Sequence, residues 1–597
     1  NLVRTRGPSN ATVVECYHDR IRETAVALLR ADQLPRTHSR LAIALESSPD
    51  PDPQALAIHF REAGETERAA EYAIAAAERA SATLAFDRAA ELYRVALSLR
   101  GMDRAARQLR VKLGEALAHA GRGPEAAEAF SSATDGAPAA EALDLQRRAA
   151  TELLRAGRIS EGIAHFRQVL EAVGMKLAAT PGRAVASLLW QRARIRMRGL
   201  GFRERDETQV PADQLMRIDV AYAVTTGLGM VDSIRATEFE ARQLLLALDA
   251  GEPHRILRAL AAETCMLSMQ GTRSSTRTWK AFGALEALGK RLDTPEARAL
   301  AVGVRGIIGF QEGRWQEAVE LCDRGTELLR DHCVGLHWEL TTCHAFALFA
   351  LARAGRYRVL SQRLTKLVKE ANERGDLYAA TNMMCAVGYC RTLLAGDPEG
   401  ARQELTDAVA RWNVHDSFHL QHFNAVLSNS YIDLYRGDGA QAWERLDSAW
   451  PSFERSVLLR LQTLRANARF ARSRAALSLA AATGRRDLHA TALGDARRLE
   501  GEGAGYCQAL AGQIRATVAH QRGETERALA LLTSAEQLYD AHDMHMSAAA
   551  LRWHRGRLVG GSEGAALIEQ ALKFYRDEGA ADERGLIAMT APGFPME

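Results

Sequence analysis

At 597 residues with a formal net charge of +3, the chain is either several domains or a repeat array, and it has no overall electrostatic footprint for a nucleic acid or an acidic membrane surface. Aromatic residues make up 6% of the chain and alanine is abundant, which favours close helix-helix packing over sheets and argues against base stacking as a mode of recognition. Eight cysteines scattered from Cys16 to Cys507 without CxxC pairs exclude a zinc framework or a secreted disulfide scaffold and fit a reducing cytoplasm, and neither an apolar run of spanning length nor a signal peptide is present.

The first residue is Asn rather than Met, so a natural N-terminal extension is expected. Leu2 to Arg6 and Thr12 to Tyr17 are β-favouring runs on either side of Gly7-Pro8-Ser9-Asn10, which predicts a β-hairpin. Helices are predicted at Asp19 to Arg30 and Arg36 to Leu45, so residues 1–48 read as the end of a winged-helix-like segment. Pro49, Pro51 and Pro53 then set a boundary that neither helix nor strand crosses.

Beyond it, one helical-hairpin phrase recurs, plainest in Glu312-Gly313-Arg314-Trp315-Gln316-Glu317-Ala318-Val319. Before the phrase, Ala297, Leu300, Ala301, Val304, Ile307 and Ile308 share one helix face; after it, Ala318, Leu321, Cys322, Gly325, Leu328 and Leu329 repeat the spacing. Thr294 and Pro295 supply an N-cap and an N1 residue, and Gly313 supplies a left-handed stop. Related turns occur at Gly64, Gly121 and Gly157, with a glycine-free version at Leu84-Ala85-Phe86. Later turns at Gly229, Gly271, Gly313, Gly355, Gly396, Gly437, Gly484, Gly523 and Gly561 are spaced by 42, 42, 42, 41, 41, 47, 39 and 38 residues. The expected fold is all-α, a right-handed solenoid of helical hairpins with a period near 42 residues, in two stretches: residues 49–200, with an irregular insertion after Leu170, and residues 201–597. The Gly-x-x-x-x-Ala pattern resembles tetratricopeptide (TPR) repeats, in a longer version that mostly lacks their characteristic proline.

A second resemblance lies in whole phrases. The segment from Glu15 to Glu23 and the stretches at 84–97, 196–207, 227–263 and 434–462 resemble the region that follows the ATPase module in large bacterial serine/threonine protein kinases. In that family a kinase domain precedes a STAND-type or AAA-like ATPase, a winged-helix segment and a helical-repeat tail. The resemblance implies that this chain is the last two parts, with ATP and magnesium needed only upstream. No HRD, DFG or Gly-rich kinase loop is present, so no catalytic residue carries over.

Local constellations give no catalytic, cofactor or metal site. Gly283 to Lys290 has one residue too many for a phosphate loop and Arg291 where a magnesium ligand should stand. His415, His419 and His422 fall at i, i+4 and i+7, a polar face for partner contact rather than a metal site, and His332, Cys333, His337, Cys343 and His344 match no zinc spacing. Arg192, Arg194, Arg196 and Arg198 form two i, i+4 pairs, a solvated face or a docking point for an acidic partner. Trp190, Trp279, Trp315, Trp443 and Trp450 are expected as packing anchors between repeats.

The function expected is a non-catalytic scaffold that binds proteins or other domains of its own parent chain, without nucleic acid or membrane. The alternative is a repeat domain that senses a small ligand for a STAND-type ATPase. A transcriptional activator should end in a DNA-binding helix-turn-helix, which the terminal Ala591 to Glu597 does not supply, and an enzyme lacks any motif.

Overall fold

The computed structural model describes residues 3–6, 13–16, 19–30, 32–100, 104–229, 231–333, 336–412 and 418–596. They fall into two compact units, residues 1–152 and 153–597.

In the first unit, Val3–Arg6 pairs antiparallel with Val13–Cys16, Val3 opposite Cys16. Helices Asp19–Ala27 and Leu34–Glu46 follow. The proline-rich break ends in Asp52, whose side chain accepts from the Gln54 N–H at 3.1 Å and so caps the helix that Pro53 opens. Leu56 and Phe60 of that helix, Pro53–Glu62, pack with Ala42 and Ala69, and the Phe60 and Tyr72 rings stack at 5.4 Å. Gly64 and Gly121 take left-handed turns at φ +81° and +77°. At the glycine-free turn Leu84 adopts the same conformation, φ +61°, with its side chain 74% exposed.

The second unit is a TPR-like all-α solenoid. Its regular hairpins pair Pro295–Gln311 with Trp315–His332, His337–Ala354 with Tyr357–Glu373, Leu377–Leu394 with Pro398–Trp412 and Leu420–Tyr435 with Gly439–Arg455. Three more pair Gln462–Thr483 with Leu488–Glu500, Gly505–Gln521 with Thr525–Ala541 and His545–Val559 with Gly561–Glu578. Thr294 caps the Ala297 N–H at 3.2 Å, and at Gly313, φ +81°, the helix closes with Arg314 N–H donating to Gly309 O at 2.9 Å. Gly157, Gly271, Gly355, Gly396, Gly437, Gly484 and Gly523 are also left-handed. Gly229 is the last residue of the helix Ala212–Gly229, where Val231 and Asp232 N–H groups close the turn on Leu228 O; Gly561, φ +60°, opens a helix instead of ending one. Between Leu170 and Gly229 the chain inserts the helix Pro181–Arg198 and an extended stretch pinned by Arg205 N–H to Gly251 O at 2.9 Å.

The two helices of a hairpin have different jobs. First helices touch one another in succession from Ala212–Gly229 to Gly505–Gln521 and form an inner layer. Leu377–Leu394 is buried around most of its circumference, whereas Tyr357–Glu373 buries only Tyr357, Leu360, Leu364 and Ala371.

Successive coils also rest on one another. Thr272 N–H meets the Gln462 side chain 190 residues further on, Gln311 bonds Thr463, and Ala581 N–H donates to Leu394 O at 2.9 Å. The turn glycines are the points of contact. A Cβ on Gly157 would lie 2.8 Å from Leu377 Cδ2, one on Gly313 2.7 Å from the Tyr506 ring, and one on Gly355 would collide with the Met546 backbone and Cβ. Gly437, φ +76°, faces open space.

Gly437→Ala should therefore cost only left-handed strain, roughly 1 kcal/mol, and Gly355→Ala at least about 2 kcal/mol because steric overlap adds. Urea unfolding of both variants checks this, and equal costs would contradict the contact between coils. Leu84→Gly should raise stability by roughly 0.5 to 1 kcal/mol by relieving a left-handed leucine; an unchanged or lower midpoint would show that the leucine is not strained.

Candidate functional site

The coils of the second unit enclose a lumen of about 1740 Å³. Its walls are the inner-layer helices, which contribute Phe310, Phe346, Phe349 and Leu427, together with Met544 and Met546 at the start of the hairpin that begins at His545. Leu189 and Met197 of the helix Pro181–Arg198, 64% and 76% exposed, also line it, as do Met589 and Thr590 near the C-terminus.

Set into the apolar walls are charged groups satisfied from within the chain. Arg192 binds Glu240 and Glu263, both buried. Burial works against the Arg192 charge, but the two carboxylates outweigh it and hold the guanidinium above its ordinary pKa. Burial pushes the Glu240 carboxyl well up despite Arg192, as expected where two carboxylates share one cation. Tyr222 donates to Glu339, and Arg258 binds Glu296 at 2.6 Å. Further along, Arg465 meets Glu502, while Arg469, Arg472 and Arg498 share the fully buried Asp495.

A second set spans four hairpins. Arg353 Nη1 donates to Asn467 Oδ1 at 3.1 Å, and the Tyr431 hydroxyl donates to the same oxygen at 2.8 Å. The Arg474 guanidinium lies 4.5 Å from the Phe470 ring centroid and 4.7 Å from that of Tyr431, and donates to Met589 O at 3.0 Å. Tyr389 and Tyr431 rings are 5.2 Å apart. Asn382 and Asn424 line the lumen at the positions equivalent to Asn467, 42 and 43 residues apart in sequence, and Asn382 Oδ1 is buried without a partner.

The C-terminal segment is tied to inner helices through its backbone. Gln513 donates to Thr590 O, His554 to Ala591 O and Gln521 to Gly593 O, each at 2.9 Å, and the Phe594 ring stacks on His554 and His520.

The residues singled out in the sequence are distributed differently. The acidic partners of Arg192 and Arg198 are the chain's own Glu240, Glu263 and Asp249; Arg194 reaches Gln191, and Arg196 lines the lumen. His415 lies outside the described residues. His419 precedes the helix Leu420–Tyr435, accepts from Trp412 Nε1 at 3.3 Å and donates its backbone N–H to His422 Nδ1 at 3.1 Å; burial holds its pKa down to about 4. Among the described residues no three His, Cys, Asp or Glu side chains are grouped as a metal site would need. Cys343 is buried, and burial holds His344 down to about 4. Gly283 to Lys290 lies inside the helix Ser275–Leu292 and forms no loop. Trp315 and Trp450 are buried anchors and Trp279 donates to Glu312, but Trp190 is 61% exposed, because its helix packs through Ala184, Gln191 and Ile195 and turns Trp190 outward. The lumen itself went unread in the sequence; the recurrence of Asn382, Asn424 and Asn467 at the repeat spacing was the available signal.

No protein-family model and no curated protein matches the chain. Among solved structures, it is similar to the Cut9–Hcn1 hetero-tetramer of the APC/C, at 12% identity and a TM-score of 0.41, over 90% of this chain and 94% of that one. It is also similar to a signal transduction ATPase with numerous domains (STAND protein) with a tetratricopeptide repeat sensor from Pyrococcus horikoshii, at 11% identity and a TM-score of 0.31, over 77% of this chain. The match spans 58% of the STAND chain.

His554 provides a test of the sealed C-terminal contact. Burial pushes its pKa to about 3, below the ordinary 6.5, against the bond to Ala591. A depressed histidine keeps the fold stable while it is neutral, so its contribution is complete above about pH 6.5 and lost as pH falls toward 3. His554→Gln, which keeps a donor for Ala591, should therefore lose less stability than wild type between pH 6.5 and 4. Parallel stability profiles for the two proteins would show that His554 is not buried in its neutral form.

Proposed function

We propose that the chain is the non-catalytic, regulatory binding region of a multidomain bacterial signalling protein, and that its lumen receives a ligand. The observation that carries this is the lumen, about 1740 Å³ with apolar walls and inward polar groups. That volume exceeds the ~300 to 1,000 Å³ of an ordinary small-molecule pocket. Because the coils stack, the inner surface forms a deep, partly open cavity, which suits a ligand held between coils better than a protein laid along a flat face. This turns the sensing alternative into the leading reading.

Protein contact is better placed on the first unit. Of the ten large apolar side chains that stand exposed among the described residues, Val26, Leu28, Leu41, Ile43, Ile58 and Leu84 belong to it. The phrases at 84–97, 196–207, 227–263 and 434–462 support a parent of the serine/threonine kinase type with a STAND or AAA-like ATPase. In that parent, residues 1–48 end a winged-helix segment, and residues 49–200 and 201–597 are the repeat tail that reports ligand binding to the ATPase. Eight unpaired cysteines suit a cytoplasmic protein.

Two measurements test the proposal. The isolated chain should neither bind ATP at micromolar concentration nor transfer phosphate, since its sequence carries neither a complete phosphate-loop motif nor the kinase HRD and DFG motifs. It should take up the neutral dye N-phenyl-1-naphthylamine with enhanced fluorescence, because the lumen has room for the dye and apolar walls to hold it. Micromolar ATP binding, or no uptake of the dye, overturns it.

A further inference from the structure

The lumen holds more positive charge than its carboxylates neutralise. Around Glu240 and Glu263 acid exceeds base, but around Gln462–Thr483 the balance reverses. Arg469, Arg472 and Arg498 surround one carboxylate, Asp495. Burial lowers the Arg469 pKa, and Arg498 and Arg472 add to that against Asp495. Arg353 and Arg474 also line the cavity, and neither has a carboxylate partner among the described residues. Arg474 is only 8% exposed and its Nε is buried without an acceptor. Its charge rests on one carbonyl and two aromatic faces, which compensate a buried guanidinium less fully than an anion does.

These two guanidiniums are linked through Tyr431. Asn467 Oδ1 accepts from both Arg353 and Tyr431, and the Arg474 guanidinium lies over the ring of the same tyrosine. One carbonyl oxygen occupies one of the five N–H donors of Arg353, which leaves the fork free for a planar or tetrahedral oxyanion. Phe346, Phe349 and Tyr389 line the same cavity.

We propose that the lumen selects an organic anion: a carboxylate, sulfonate or phosphate group bound between Arg353 and Arg474, with an aromatic or other apolar body against Phe346, Phe349 and Tyr389. The proposal rests on the reading of the lumen as a ligand site and adds the sign of the ligand's charge. A neutral ligand of the same shape leaves the half-buried Arg353 and the buried Arg474 without an anion, whereas an oxyanion replaces their solvation with charge-assisted hydrogen bonds.

Two dyes of one skeleton test it, 8-anilinonaphthalene-1-sulfonate and the neutral N-phenyl-1-naphthylamine, which lacks the sulfonate. Titrated into the full chain, the sulfonate should bind at least about tenfold more tightly than the neutral dye, the equivalent of one charge-assisted hydrogen bond. Arg353→Gln should weaken the sulfonate by about tenfold and leave the neutral dye unchanged. Arg324→Gln removes an exposed charge on the outer helix Trp315–His332 and should alter neither. Arg474→Gln should behave as Arg353→Gln; should it fail to fold, Arg353→Gln decides alone. Equal affinity for both dyes in the wild type, or a sulfonate preference that survives Arg353→Gln, overturns the anion assignment while the lumen reading stands. Exclusion of both dyes defeats the lumen reading and the anion assignment together.

Discussion

Everything about the second unit depends on how closely one coil approaches the next. A side chain at a turn such as Gly313 or Gly355 would hold the coils apart by the thickness of a methyl group or more, since the Tyr506 ring and the Met546 backbone already stand where that Cβ would be. Glycine meets two demands at these positions at once, the left-handed stop of the helix and a surface without a Cβ. An open solenoid needs only the first. The second is what lets the coils stack, and with stacking the concave face of the hairpins becomes the wall of a deep, partly open lumen.

Stacking changes the chemistry of the inner face. On an open superhelix Arg192, Glu240 and Glu263 would be half-solvated and worth little as ion pairs. Inside the lumen several charges, Arg353 and Arg474 apart, meet carboxylates of the chain itself across long sequence separations: Arg192 from the inserted helix to Glu240 and Glu263, Arg465 to Glu502, and Arg469 and Arg472 to Asp495. Their mutual dependence also ties the hairpins into register, because removing one partner leaves a buried charge uncompensated. Burial also pushes the thiols of Cys265 and Cys385 up to about 12, which disfavours their reactive thiolate forms.

The hairpins were legible in the sequence because their signals are local. Thr294, Pro295 and Gly313 act within one turn of the helix they delimit, and the amphipathic spacing of Trp315–His332 reports its half-buried face directly. The inner helices were harder to interpret. Leu377–Leu394 is buried nearly all round, so its apolar residues mark no single face, and Asn382 looks like a polar interruption until its equivalents at Asn424 and Asn467 are aligned. The arginines from Arg192 to Arg198 invited an outside partner because the glutamates that receive Arg192 lie 48 and 71 residues away. Contact between coils could not be read at all: the residue that meets Gly355 is Met546, and nothing local to either position records the other.

The C-terminal segment is held by its main chain. Arg474, Gln513, His554 and Gln521 donate to the carbonyls of Met589, Thr590, Ala591 and Gly593, and a carbonyl is the same whatever side chain it carries. Side-chain size there is set separately by burial: Met589, Thr590, Ala591 and Phe594 are all buried, and at Gly593 a Cβ would strike Gln521 and Thr517. Spacing is another matter. One residue inserted or deleted between Thr590 and Phe594 would carry the phenyl ring out of its slot and offer the donors the wrong carbonyls, so a change of length in this stretch breaks several contacts at once where a substitution breaks one.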